Sequence, residues 1–243
     1  MFFLARTRPG APYNDSTMQI SLPRRCLAEL ISTFILVLIG CGAIAVDSRT
    51  GMLTHVGVAT VWGLVVMVMI YAVGDICGAH MNPAVTIAMA SLRRMKAIDA
   101  AAYIVAQCVG AILGAVAIRA VLGVDQSMLG STSTELELPI GMMVELMMTA
   151  ILMFVVMGVS TGAKEKGITA ALAVGSTIAM EAFVAGPLTK ASMNPARSLG
   201  PAVVAGDVSQ LWIYIVGPIV GALIGGLTYL VVRPAGSDVT HTE

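Results

Sequence analysis

The chain has 243 residues, of which 57% are hydrophobic and 12% charged, and its mean hydropathy is +0.89. Soluble domains carry about twice that charged fraction, so the composition excludes an ordinary water-soluble domain and points to an all-α membrane protein. Net charge is zero, which argues against nucleic acid or another polyanion as a partner.

In chain order, residues 1–24 open with an apolar run too short for a signal-peptide core and read as a cytoplasmic lead-in. Spanning helices are expected from about Arg25 to Val46 and Leu53 to Val73, each offering the ~20 apolar residues a bilayer core demands. The loop GAHMNPAV, Gly78 to Val85, follows, with a half-helix over Pro83 to Ser91 and a basic exit at Arg93, Arg94 and Lys96. A third span runs from Ala97 to Leu122, a fourth from Leu138 to Ser160 and a fifth from Gly167 to Ala185. The loop GPLTKASMNPARSLGPA, Gly186 to Ala202, precedes a sixth span over Gln210 to Val232 and a polar tail, 233–243. The apolar runs are continuous, unlike the alternation of a membrane barrel. One membrane domain over 25–232 is expected, with repeats at 25–122 and 138–232.

The two loops organise the chain. Pro187 and Pro195 predict that no helix runs uninterrupted through the second loop. Asn82-Pro83-Ala84 and Asn194-Pro195-Ala196 each read as a helix start, with proline in the first turn and asparagine as cap. Irregular backbone at membrane depth is tolerated where it is buried in protein or lines a watery cavity. Two such elements make a pore the leading reading.

The halves repeat. Glu29 and Thr33 precede Asn82 as Glu145 and Thr149 precede Asn194, at offsets of 53 and 49 residues from each glutamate. Three spans per half invert the second copy, and inverted repeats bring broken helices together at the midplane. Arg6, Arg8, Arg24, Arg25, Arg93, Arg94, Lys96, Lys164, Lys166 and Arg233 gather on one face, against Arg49, Arg119, Lys190 and Arg197 on the other. That bias places both termini in the cytoplasm.

Cys26, Cys41, Cys77 and Cys108 are scattered and the 17 methionines follow no ligand spacing, so neither a metal site nor a cofactor is expected. His80 has no second ligand nearby and reads as a loop brace.

These residues resemble the aquaporin, or major intrinsic protein, family over essentially the whole chain. The resemblance rests on Gly78 to Val85, on Asn194 to Ser198 and on the two glutamate-threonine headers. It implies six transmembrane helices and two re-entrant half-helices in an hourglass, a homotetramer of independent pores in the cell membrane, plasma or bacterial inner, and passive conduction rather than enzymology. It also implies that Glu29 and Glu145 hold loop backbone amides, the alternative being a proton relay. Asn82 and Asn194 would cap their helices through oxygen and donate through nitrogen to passing solutes. Two helix N-termini aimed at the centre would oppose protons and other cations.

By resemblance, the outer constriction takes four positions, found by counting from the motifs: Trp62, Ala182, Ala191 and Arg197. Water-selective members place histidine at the Ala182 position and phenylalanine at the Trp62 position. Two alanines imply a wider, less polar filter, and tryptophan opposite arginine gives a wall for a carbon backbone. Trp62 as an interfacial belt residue leaves its spacing from the motif unexplained, and Arg197 as a snorkelling residue is the weaker reading because a guanidinium near the membrane is costly. The set is similar to that of the nodulin-like intrinsic proteins and their bacterial relatives, which conduct glycerol and, in some members, urea, boric or arsenous acid, with some water. Ser198 departs from glycerol facilitators, which carry aspartate there, and Glu181 beside the filter faces either a neighbouring helix or the pore. A water-selective channel is the alternative; an ion-coupled transporter would need titratable groups at the midplane. Gly63, Gly110, Gly114, Gly175, Gly217 and Gly221 are candidate points of close helix crossing.

Overall fold

The computed structural model describes residues 20–125, 128–160 and 164–233, with the side chains of 164–168 outside the description. Most of the N-terminal lead-in, Arg6 and Arg8 included, and nearly all of the polar tail lie outside these residues. Among the described residues there are eight helices and no strand: α1 (Leu22–Thr50), α2 (Thr54–Cys77), α3 (Pro83–Ser91), α4 (Ala97–Leu122), α5 (Leu138–Ser160), α6 (Lys164–Thr189), α7 (Pro195–Ala205) and α8 (Ile213–Val232). All but α3 and α7 are long and apolar enough to cross a membrane. The expected six spans and two half-helices are therefore present. The spans run longer than apolarity alone marked, because the outer turns of α1 and α2 continue into polar residues.

Packing follows the repeat. α1 lies along α4 and α5 along α8, while α2 and α6 join the halves. Each half-helix crosses into the other repeat, α3 against α8 and α7 against α4. Close crossings need glycine because backbone meets backbone. A β-carbon on Gly110 would stand 2.3 Å from the Leu30 carbonyl oxygen, and one on Gly221 2.2 Å from that of Leu146. Gly63 and Gly175 face each other across α2 and α6, and a β-carbon on either would fall 2.6–2.7 Å from the other's carbonyl oxygen. Gly225, against the Ala150 carbonyl, and Gly200, against Ala111, belong to the same set although the sequence did not single them out.

One expectation is corrected. α6 does not stop before Pro187 but continues through it to Thr189. Proline removes one N–H and frees one carbonyl, that of Phe183 four residues back. His55 fills the gap: its Nε2 lies 2.8 Å from the Phe183 oxygen. A helix crosses a proline in a membrane when a neighbour satisfies the freed group, and here the neighbour is on α2.

Candidate functional site

Asn82 and Asn194 stand at the N-caps of α3 and α7, each with extended backbone before a proline. The Asn82 oxygen accepts from the Ala84 N–H at 2.9 Å, and the Asn194 oxygen from Ala196 at 3.0 Å and Arg197 at 3.3 Å. Their amide nitrogens reach across the repeat: Asn82 donates to the Met193 carbonyl at 2.8 Å and Asn194 to that of Met81 at 2.7 Å. The two helix N-termini are thereby stitched together. Each amide nitrogen carries two hydrogens, so one remains beyond the stitch.

The residues before each asparagine take left-handed backbone without being glycine. Ala79 and Met81 have φ of 49° and 50°, matched by 46° and 50° at Ala191 and Met193, while Lys190 at 63° stands where the first repeat has Gly78. Such conformations cost of order 1 kcal/mol or more each and persist when the surroundings over-determine them. The buried glutamates supply that constraint. Glu29 accepts from the backbone N–H groups of His80 and Met81 at 2.8 and 2.7 Å, and from the Gln107 amide at 2.8 Å. Glu145 accepts from those of Ser192 and Met193 at 3.0 and 2.8 Å, and from the Thr189 hydroxyl at 2.7 Å.

His80 lies against Thr86, its Nδ1 3.0 Å from the hydroxyl, which itself donates to the Asn82 carbonyl. With that hydrogen committed, Nδ1 is the donor of the pair. Ser192 and Ser198 make the equivalent contact in the second repeat, at the same offsets from Asn194, and Thr132 donates to Ser198 at 2.9 Å. The Tyr103 hydroxyl donates to the Cys77 carbonyl at 2.9 Å and that of Tyr214 to the Thr189 carbonyl at 3.0 Å. Thr86, Gln107, Tyr103 and Tyr214 were not singled out from sequence. Comparing the repeats with a one-residue tolerance in the offset from each asparagine would have found the tyrosines, at 21 and 20 residues.

A cavity of about 210 Å³ runs past both loops. Asn82, Asn194, Trp62, Ala182, Ala191 and Arg197 all line it. A second cavity of about 320 Å³ opens beyond it, and Trp62, Ala182 and Ala191 line both, so they stand where the two meet. The four positions counted out from the motifs are thus brought together. Arg197 is 1% exposed and its Nη1 donates to the Gly130 carbonyl at 2.6 Å. Gly130 itself, at φ 72°, presses on Cys41, where a β-carbon would come within 3.0 Å. The Arg197 Nε and Nη2 have no hydrogen-bond partner among the described residues. The guanidinium carbon lies 4.7 Å from the Trp62 ring centroid, a desolvated cation–π pair worth about 2 kcal/mol. Glu181 is absent from both linings and is buried on α6, with neither carboxylate oxygen hydrogen-bonded among the described residues.

A helical bundle with paired, capped half-helices meeting inside a lined passage defines a membrane channel, and the comparisons agree. The model of the Major intrinsic protein family matches residues 16–229, and the chain belongs to that family. It is similar to Aquaporin NIP1-1 of Zea mays, 44% identical over 94% of this chain and 82% of that one. Nodulin-26 of Glycine max is 41% identical over 94% and 85% of the two chains. Among solved structures, the aquaglyceroporin from Plasmodium falciparum superposes with a TM-score of 0.74 at 25% identity, covering 86% of this chain and 96% of that one.

Proposed function

We propose that this channel passes small uncharged solutes of the glycerol class, together with water, and excludes ions and protons. The observation that carries the reading is the make-up of the junction between the two cavities: a guanidinium resting on one aromatic ring, not opposite it as the sequence suggested, with two methyl groups completing the wall. A polyol passes its carbon backbone along the part of Trp62 that the guanidinium leaves uncovered and along the Ala182 and Ala191 methyl groups, while its hydroxyls accept from the Arg197 Nε and Nη2 hydrogens, which protein groups leave free. Ala182 and Ala191 add neither bulk nor polarity to the remaining wall. Deeper in, the second hydrogen of each asparagine amide serves the next hydroxyl. Urea and the trigonal hydroxides of boron and arsenic present the same combination of small size, neutrality and oxygen acceptors. The solved relative named as an aquaglyceroporin supports the same class.

Cations are opposed twice, by Arg197 and by the paired N-termini of α3 and α7, whose macrodipoles point their positive ends at the centre. The carboxylates of Glu29 and Glu145 are occupied by loop donors, and Glu181 lines neither cavity, which disfavours a proton-coupled cycle. In this reading the protein is a homotetramer in the cell membrane, with both termini cytoplasmic.

Uptake of labelled glycerol into proteoliposomes, with and without a protonophore, tests the proposal. The expected result is uptake above that of empty liposomes and indifferent to the protonophore. Uptake abolished by the protonophore would replace the channel with a coupled transporter.

A further inference from the structure

We infer that His55 is a positioning residue for the filter: it gives the Phe183 carbonyl the hydrogen bond that Pro187 withholds, and so pins the α6 wall to the α2 wall. The inference rests on the reading of Trp62, Ala182, Ala191 and Arg197 as the constriction.

Four features of the site converge. Pro187 sits inside α6, so the Phe183 carbonyl lacks the donor that residue 187 would otherwise supply. His55 Nε2 stands 2.8 Å from that oxygen, and because a carbonyl accepts, Nε2 is the protonated nitrogen of the ring. Gly186 leaves room for the ring, since a β-carbon there would fall 2.6 Å from His55 Cε1. The imidazole also meets the Phe183 ring edge-on, with centroids 6.2 Å apart and planes at 89°.

The placement matters because of what lies next to each partner. His55 and Trp62 are seven residues apart on α2, two turns along one face, and both line the outer cavity. Phe183 follows Ala182 directly on α6. One hydrogen bond therefore ties the wall that carries Trp62 to the wall that carries Ala182. Without it, the turn around Pro187 loosens between the Gly63–Gly175 crossing and the Thr189 anchor on Glu145 and Tyr214, and the Trp62–Ala182 spacing widens. Asp47 and Lys190 line the same outer cavity, so a purely electrostatic role for His55 is the rival explanation.

A double substitution separates the two. His55→Ala removes the donor, while Pro187→Ala in the same chain returns an N–H that reaches Phe183 from within the helix. Amide exchange over residues 183–190, followed by mass spectrometry in lipid nanodiscs, should quicken about fivefold in H55A, as for one lost hydrogen bond. It should return to the parental rate in H55A/P187A. The ratio of erythritol to glycerol permeability should rise on the order of threefold in H55A and fall back in the double variant. Unchanged exchange in H55A, or fast exchange that P187A does not correct, overturns the inference. Faster exchange with an unaltered permeability ratio also overturns it, since the bond would then hold the helix and not the filter. His55→Phe, which keeps the ring without the donor, serves the same comparison should H55A not insert. A parental channel that passes no glycerol would sink the proposed solute class, and the exchange data would still decide the role of the bond.

Discussion

The Arg197 guanidinium carbon stands over the Trp62 ring, 4.7 Å from its centroid, and this pairing shapes the junction of the two cavities. The Gly130 carbonyl anchors the guanidinium through Nη1. The position of the ring is in turn set from behind by Gly40 on α1.

Gly40 predicts a way to close the channel without touching its lining. A β-carbon there would stand 2.4 Å from two atoms of the Trp62 six-membered ring. Gly40→Ala must displace the indole from its place under Arg197. Overpacking of this kind costs about 1–3 kcal/mol, so glycerol permeability should fall roughly tenfold. Stopped-flow light scattering reads the loss, and Trp62→Phe in the G40A background should recover much of it.

Ala182→His predicts a change of solute. The imidazole adds bulk and polarity to a wall that now offers a methyl group, facing Trp62. Glycerol permeability should drop on the order of tenfold and water permeability by less than about threefold. Equal losses of both, or no loss, would count against the assigned constriction.

Glu145→Gln tests the loop brace. The amide retains the shape but turns an NH₂ group toward backbone N–H or hydroxyl donors that now share two carboxylate oxygens. Hydrogen bonds to a charged acceptor are worth about 1.5–3 kcal/mol, and a loss of about 2–4 kcal/mol is expected. Thermal unfolding in detergent should register a clearly lower midpoint, and Glu29→Gln should behave alike because the first loop is held the same way.

Asn82→Asp keeps the cap and destroys the stitch. Aspartate caps a helix as well as asparagine does, so α3 should survive. Its second oxygen, however, would face the Met193 carbonyl where the amide now donates at 2.8 Å. Glycerol flux should fall at least about tenfold, from the loss of a donor and the repulsion of two acceptors. Bilayer recordings should also show cation conductance absent from the parent, because a negative charge then sits between two positive helix ends.

Much of this was legible in the residues themselves. Apolar length marked the six spans, and Asn-Pro-Ala marked both half-helix starts because cap and proline chemistry are local. The glutamate–threonine headers marked the repeat. Pro187 misled because its effect was judged within its own helix, whereas the freed carbonyl is satisfied by His55, 128 residues away in sequence. The cross-stitch of Asn82 to Met193 and the anchoring of Arg197 by Gly130 were hidden for the same reason: a backbone carbonyl leaves no side-chain signature. Glu181 could be placed only once the rotation of α6 against α5 was known.

The central claim is most directly tested by stopped-flow light scattering on proteoliposomes, comparing water and glycerol permeability with that of empty liposomes. The Trp62, Ala182, Ala191 and Arg197 arrangement predicts that both rise, with glycerol uptake well above background and reduced roughly tenfold by Gly40→Ala. Fast water with glycerol at the empty-liposome rate would contradict it and make this member of the family a water-selective channel.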